Sequence, residues 1–84
     1  MEKRVGRITH YYGKVGVAAV ELEDELKVGD EIHIKGHTSD WTQKVESIQI
    51  EHDQVEKAGP GDVVGIKVVE HAREHDLVYK IVED

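Results

Sequence analysis

Most of the large aliphatic residues in this chain are β-branched, and this restricts the folds open to it. Valine and isoleucine number 13 and 7, whereas leucine numbers 3 and phenylalanine is absent. β-Branched side chains lose rotamer freedom in a helix and pack well on a pleated sheet. Eight glycines and one proline divide the chain into short apolar segments of the kind that form antiparallel strands. The sequence therefore predicts an all-β fold.

The length of the chain limits it to one hydrophobic core. Eighty-four residues cannot supply two cores and still offset the entropy of ordering, so we expect a single domain over residues 1–84. The absence of cysteine excludes disulfides and thiolate metal sites. The longest uncharged apolar stretch, Val15–Val20, is too short to span a bilayer, and the amino terminus lacks the apolar region of a signal peptide. We therefore expect a cytoplasmic protein without membrane contact.

Alternation of apolar and polar residues predicts six strands. They cover Lys3–Tyr12, Val15–Leu22, Glu31–Lys35, Trp41–Glu51, Val63–Val69 and Leu77–Val82. In the fourth strand the apolar parity changes between Val45 and Ile48. A strict period of two cannot bury both side chains, so a β-bulge is predicted at Glu46-Ser47.

The number and shortness of these strands favour closure into a barrel, because closure removes unpaired edges. Side chains fill the interior of so small a barrel, so no cofactor is expected. Between the second and third strands, Leu26 and Val28 are expected to pack beneath the barrel, with Gly29 in a left-handed turn. We predict a small closed six-stranded antiparallel β-barrel.

Two motifs, Leu26–Asp30 and Pro60–Ile66, have the order and spacing found in the second domain of elongation factor Tu, and nearly the whole chain resembles that domain. The resemblance implies a barrel of the translation-factor domain 2 type. Two further segments, Thr9–Tyr12 and Gly16–Leu22, resemble the carboxy-terminal domain of collagenase-like peptidases.

The resemblance to the elongation factors does not extend to nucleotide binding. A P-loop needs a glycine and a hydroxyl residue at fixed distances around its Gly-Lys pair, and Gly13-Lys14 has Ile8 and Val15 there. In the elongation factors a glutamate contacts the terminal adenosine of aminoacyl-tRNA, and the matching residue is Gln49. The resemblance implies that Gln49 could hydrogen-bond a base edge.

Aromatic and basic residues occur together in two segments, and nucleic-acid bases stack on such rings. The possible contact residues for RNA or a protein partner are His10, Tyr11, Tyr12, Lys14, His33, Lys35, His37, Trp41 and Gln49. The alternative is that Tyr11 or Tyr12, together with Trp41, caps the barrel half-buried, with the polar atoms of these side chains in solvent. Because the net charge is −7, any RNA contact must be local.

The sequence offers no catalytic constellation. The two serines, Ser39 and Ser47, lie outside nucleophile motifs. Six histidines are present, but a predicted loop separates His33 from His37. His71 and His75 are four residues apart but lie in a predicted linker and not on a helix, so metal-ligand geometry is not supported. We therefore predict a non-catalytic, translation-factor-like binding module that docks on a ribonucleoprotein or a protein partner. The alternatives are an accessory domain of a peptidase-like or RNA-modifying enzyme, and a histidine-based metal-binding protein.

Overall fold

The computed structural model of the protein describes residues 1–82 and contains ten β-strands. They are β1 (Glu2–Tyr12), β2 (Val17–Leu22), β3 (Leu26–Lys27), β4 (Glu31–Lys35), β5 (Asp40–Lys44), β6 (Ile48–Ile50), β7 (Asp53–Val55), β8 (Lys57–Ala58), β9 (Val63–Lys67) and β10 (Leu77–Ile81). There is no helix in this part of the chain. Every strand pair is antiparallel, and the all-β prediction is confirmed.

Eight of the strands form one sheet in the order β5-β4-β10-β1-β2-β9-β6-β7, and β3 pairs with β8 in a second sheet. Alternate side chains of β2, β4 and β9 enter a single core, as the sequence predicts. Ala18, Val20 and Leu22 of β2 are buried, as are Ile32 and Ile34 of β4. The residues between them on each strand face outward and form the surface available for binding.

The edges of the large sheet are held together by the segment that contains β3. The Val28 N–H donates to the carbonyl of Glu56 (2.9 Å), and the Gly29 N–H donates to the carbonyl of Val45 (2.9 Å). Gly29 has a φ of 98°, the left-handed conformation expected for it. Leu26 is buried as predicted, whereas Val28 is 40% exposed, contrary to the prediction.

Closure of a six-stranded barrel is not confirmed. Within residues 1–82 no ladder joins β5 directly to β7, and the segment around β3 lies between them. Gln43 of β5 adds a side-chain connection across this region. Its Nε2 donates to the carbonyl of Lys67 (2.8 Å), and its Oε1 accepts from the Val69 N–H (3.0 Å). The edges of the described sheet are thus connected by isolated hydrogen bonds and not by a continuous strand ladder.

The predicted strand Trp41–Glu51 is divided into two strands, and the bulge predicted at Glu46-Ser47 is wrong. β5 pairs with β4, whereas β6 pairs with β9 and β7, so the chain crosses from one edge of the sheet to the other between them. This crossing allows Val45 and Ile48 to be buried together despite their parity. The parity change therefore reflects a break between two strands.

Two β-bulges occur within residues 1–82, and both are in β1. The register shifts between Arg4 and Gly6 against β10, and between Ile8 and His10 against β2. Ile8 lies in the core before the second shift. After the shift the alternation is reversed, so that the side chains of His10 and Tyr12 face outward. The end of β1 thus contributes side chains to the outer face of the sheet.

Candidate binding groove

A row of side chains crosses the outer face of the sheet from β1 to β6. Its members are cross-strand partners: His10 lies opposite Ala19, Ala19 opposite Gly65, and Gly65 opposite Gln49. The side chain of Ala19 is a single methyl group, and Gly65 has no side chain. The surface is therefore low in the middle of the row and higher at its polar ends.

Apolar side chains form the two walls of this depression, which we call the outer groove. Tyr12, Val15 and Val17 stand on one side, and Val63 stands on the other. Tyr12, Val15 and Val63 are 52%, 64% and 53% exposed, so half or more of each side chain faces solvent. The groove is open to solvent and has a volume of about 620 Å³, which lies within the range of sites that bind small molecules.

Gly65 keeps the floor of the outer groove open. A Cβ atom at this position would lie 3.2 Å from Cγ1 of Val17 and 4.0 Å from Cβ of Gln49. Such an atom would occupy the space between the walls and press lightly on the Val17 side chain. Glycine here therefore deepens the groove, since close approach of another chain needs a position without a side chain.

A tight turn closes one end of the outer groove. Glu51 and His52 connect β6 to β7, and their φ values are 50° and 71°. Positive φ at both central residues is the requirement of a type I′ hairpin turn, which usually contains Asn-Gly. Both residues line the groove. The sequence prediction missed this turn because Glu-His is not a recognised turn pair.

Three of the nine predicted contact residues come together at the outer groove. Tyr12 and Gln49 line it. The imidazole of His10 stands edge-on to the Tyr12 ring, with 4.4 Å between the ring centroids and 62° between the planes. His10 Nδ1 also lies 3.7 Å from Oε2 of Glu74. Lys14 is exposed in the turn between β1 and β2, beside Val15.

Tyr11 points away from this cluster because side chains alternate along β1. Its ring packs against the core and stacks on the imidazole of His71, with 4.4 Å between the centroids and 25° between the planes. His37 is exposed in the loop after β4. With His75 and Arg73 it borders a separate, polar depression. These rings therefore do not form one continuous stacking surface with Tyr12.

His33, Lys35 and Trp41 lie on β4 and β5, which the strands β10 and β1 separate from β2. Trp41 packs against the core, and its indole N–H donates to Oε1 of Gln43 (2.9 Å). This placement agrees with the half-buried alternative for the tryptophan. Lys35 is exposed and pairs in register with Asp40.

His33 connects three strands through two carboxylates. Its side chain is 15% exposed; Nδ1 lies 2.9 Å from Oε2 of Glu2, and Nε2 is hydrogen-bonded to Asp40. These hydrogen bonds, the one to Asp40 first, raise the pKa of His33 above 6.5. The same contact with His33 lowers the pKa of Asp40 below 3.8. His33 is thus held by acidic neighbours and is not a free contact residue.

Two further features bear on the predicted functions. Among residues 1–82, no three histidine, aspartate or glutamate side chains are grouped so that they could hold a metal ion, so the metal-binding alternative receives no support. No helix in this part of the chain is long and apolar enough to cross a membrane.

Comparison with known proteins shows similarity to peptidases. No protein-family model matches the chain. It is 44% identical over 80 residues to an uncharacterized protease of Methanocaldococcus jannaschii. The matched region covers 94% of this chain and 20% of that protein. It is also 44% identical over 78 residues to a collagenase of Porphyromonas gingivalis, covering 90% of this chain and 22% of that protein.

A solved structure shows the same fold. The carboxy-terminal domain of a candidate U32 peptidase from Geobacillus thermoleovorans superposes with a TM-score of 0.89 at 24% identity, over 95% of this chain and 93% of that one. The similarity to collagenase-like peptidases is confirmed, whereas nothing in these comparisons supports the resemblance to elongation factor Tu. The chain spans about a fifth of the length of the curated relatives it matches, and it is homologous to a segment of proteins named as a protease and a collagenase.

Proposed function

We propose that this chain is a non-catalytic accessory domain of a peptidase-like protein, and that it holds unfolded polypeptide in the outer groove. The observation that carries the proposal is the 44% identity to a protease in which the matching segment forms only 20% of the length. The match covers 94% of this chain and so spans the strands that carry the groove. We assign polypeptide binding to this segment and peptide-bond cleavage to the remainder of such a protein.

The chemistry of the outer groove suits an unfolded polypeptide. Its walls are apolar, and a partner side chain placed between Tyr12 and Val63 would remove apolar surface from water on both molecules. The amide of Gln49 at one end of the floor offers both a donor and an acceptor to a peptide backbone. A folded protein keeps most of these groups buried or paired, so unfolded segments are the favoured ligands.

This proposal replaces the translation-factor prediction as the main interpretation. An accessory role beside a peptidase-like enzyme is one of the two alternatives that the sequence predicts, and it accounts for the similarities better. Contact of His10, Tyr12 and Gln49 with RNA stays a prediction, and the net charge of −7 works against it because phosphates are repelled.

The test is retention of unfolded polypeptide by the immobilised chain. We expect heat-denatured collagen to be retained and intact triple-helical collagen to pass, with no new amino termini released from either. Gly65→Ala should retain less because its methyl group fills the floor, whereas Gly59→Ala, which adds a methyl group with no atom within 4 Å, should behave as the unchanged chain. Cleavage by the chain alone, or passage of both forms of collagen, would refute the proposal.

A further inference from the structure

The outer groove carries one unpaired acidic group. Among the described residues that line it, Glu51 is the only carboxylate, and none is a lysine or an arginine. Within residues 1–82, Glu51 forms no ion pair. The left-handed turn holds this exposed residue at the end of the groove. A ligand in the groove therefore meets a negative charge beside the apolar walls.

The other charged residues near the groove are paired or lie outside its lining, so Glu51 is the carboxylate that a ligand in the groove can contact. Glu21, on the same outer face beside Val63, is already paired with Arg7 at 3.3 Å. Lys67 lies opposite Val17 but does not line the groove. The domain as a whole carries a net charge of −7, which attracts cationic ligands and repels anionic ones over several ångströms.

From these observations we propose that the outer groove takes an extended polypeptide segment in which a large apolar side chain is adjacent to a lysine or arginine. The apolar side chain lies over the floor made by Ala19 and Gly65, between Tyr12 and Val63. The neighbouring cation pairs with Glu51. This inference rests on the proposed function and names the class of polypeptide sequence that the domain selects.

Three nine-residue peptides test the two halves of this statement. The first is Gly-Ser-Gly-Leu-Lys-Leu-Lys-Gly-Ser; the second has glutamate in place of lysine, and the third has serine in place of leucine. Each is titrated into the isotope-labelled chain, and amide chemical shifts are followed by NMR. We expect the first peptide to shift the amides of Ala19, Gln49 and Gly65. The second should bind roughly threefold to tenfold more weakly, the size of an exposed ion pair turned into a repulsion.

Matched variants identify the carboxylate that is responsible. Glu51→Gln keeps the shape of the side chain and removes its charge, and it should reduce the preference for lysine over glutamate peptides. Glu46→Gln removes one charge from an exposed residue between β5 and β6 and should leave the preference unchanged. Equal losses in both variants would mean that only net charge matters, and this outcome overturns the inference.

The remaining outcomes are also decisive. Equal binding of all three peptides, or shifts that fall outside the groove, would overturn the inference. Displacement of the first peptide by a single-stranded RNA oligomer at low salt would assign the groove to RNA instead. Concentration-dependent self-association that shifts the same amides would assign it to a second copy of the chain. If denatured collagen is retained while the peptides show no preference, the proposed function stands and this inference alone fails.

Discussion

Substitution of Gly6 by alanine tests the path of β1 at the first of its two bulges, where Gly6 also packs closely against β2. A Cβ atom at Gly6 would lie 2.7 Å from the carbonyl oxygen of Glu21 and 2.8 Å from Cγ1 of Val20. The first contact is with the backbone of β2, which is hydrogen-bonded on both sides, to β1 and to β9. Neither strand can withdraw without breaking its ladder, so the clash must be relieved by distortion.

The expected cost follows from the extent of this overlap. Overpacking of a well-packed interior costs about 1–3 kcal/mol. For a domain of this size each kilocalorie lowers the melting temperature by roughly 4–8 °C, so we expect Gly6→Ala to melt roughly 5–20 °C below the unchanged chain. Differential scanning calorimetry at fixed pH and protein concentration measures this shift.

Gly59→Ala is the matched control, because a Cβ atom there meets nothing within 4 Å and its φ is not left-handed. Removing glycine from such a position restricts the unfolded chain and raises stability by about 0.4–1 kcal/mol. Gly6→Ala should therefore melt lower and Gly59→Ala slightly higher than the unchanged chain. Equal melting of Gly6→Ala and the unchanged chain would show that residue 6 does not face β2 as described, and the bulge would then be misplaced.

Three further substitutions have defined outcomes. Ile34→Ala should lower the free energy of unfolding by about 2–5 kcal/mol through lost burial and a cavity, and a change below 1 kcal/mol in urea unfolding would contradict its core position. His33→Gln should reduce stability most below pH 6.5: the raised pKa of His33 gives a stabilisation that is complete below the unfolded value and is lost as the pH rises through the folded one. A difference from the unchanged chain that stays constant from pH 5 to 9 would argue against the contacts with Glu2 and Asp40. Ser39→Ala should be neutral or stabilising, because the buried hydroxyl has no hydrogen-bond partner among residues 1–82; a loss above about 1 kcal/mol would reveal a partner such as a bound water.

The parts of the fold that were predictable are those set by local alternation. The inward residues of β2 and β4 follow from a strict period of two, since one face of each strand is buried. The parity change at Val45 and Ile48 indicates an irregularity between β5 and β6. The sequence does not show whether this irregularity is a bulge within one strand or a break between two strands. Whether a chain bulges or leaves its strand depends on which sheet edge is free to accept it, and distant residues decide that.

The candidate site was predictable only in part for a similar reason. The sequence identified Tyr12 and Gln49, which line the groove, but it gave no role to Gly65 or Glu51. The importance of Gly65 appears only when Val17 and Gln49 are placed on either side of it. His33 was predicted to face a partner, yet it is held by Glu2, a residue 31 positions away in the sequence.

Met1 and Val82 exchange two backbone hydrogen bonds: the Val82 N–H donates to the Met1 carbonyl at 2.8 Å, and the Met1 amino group donates to the Val82 carbonyl at 3.2 Å. This pairing holds the start of β1 and the residue after β10 side by side. Tyr12 ends the same 11-residue strand that Met1 precedes, and a strand of that length reaches about 35 Å. The outer groove therefore lies at the opposite end of β1 from the paired Met1 and Val82, and neither residue of that pair lines it.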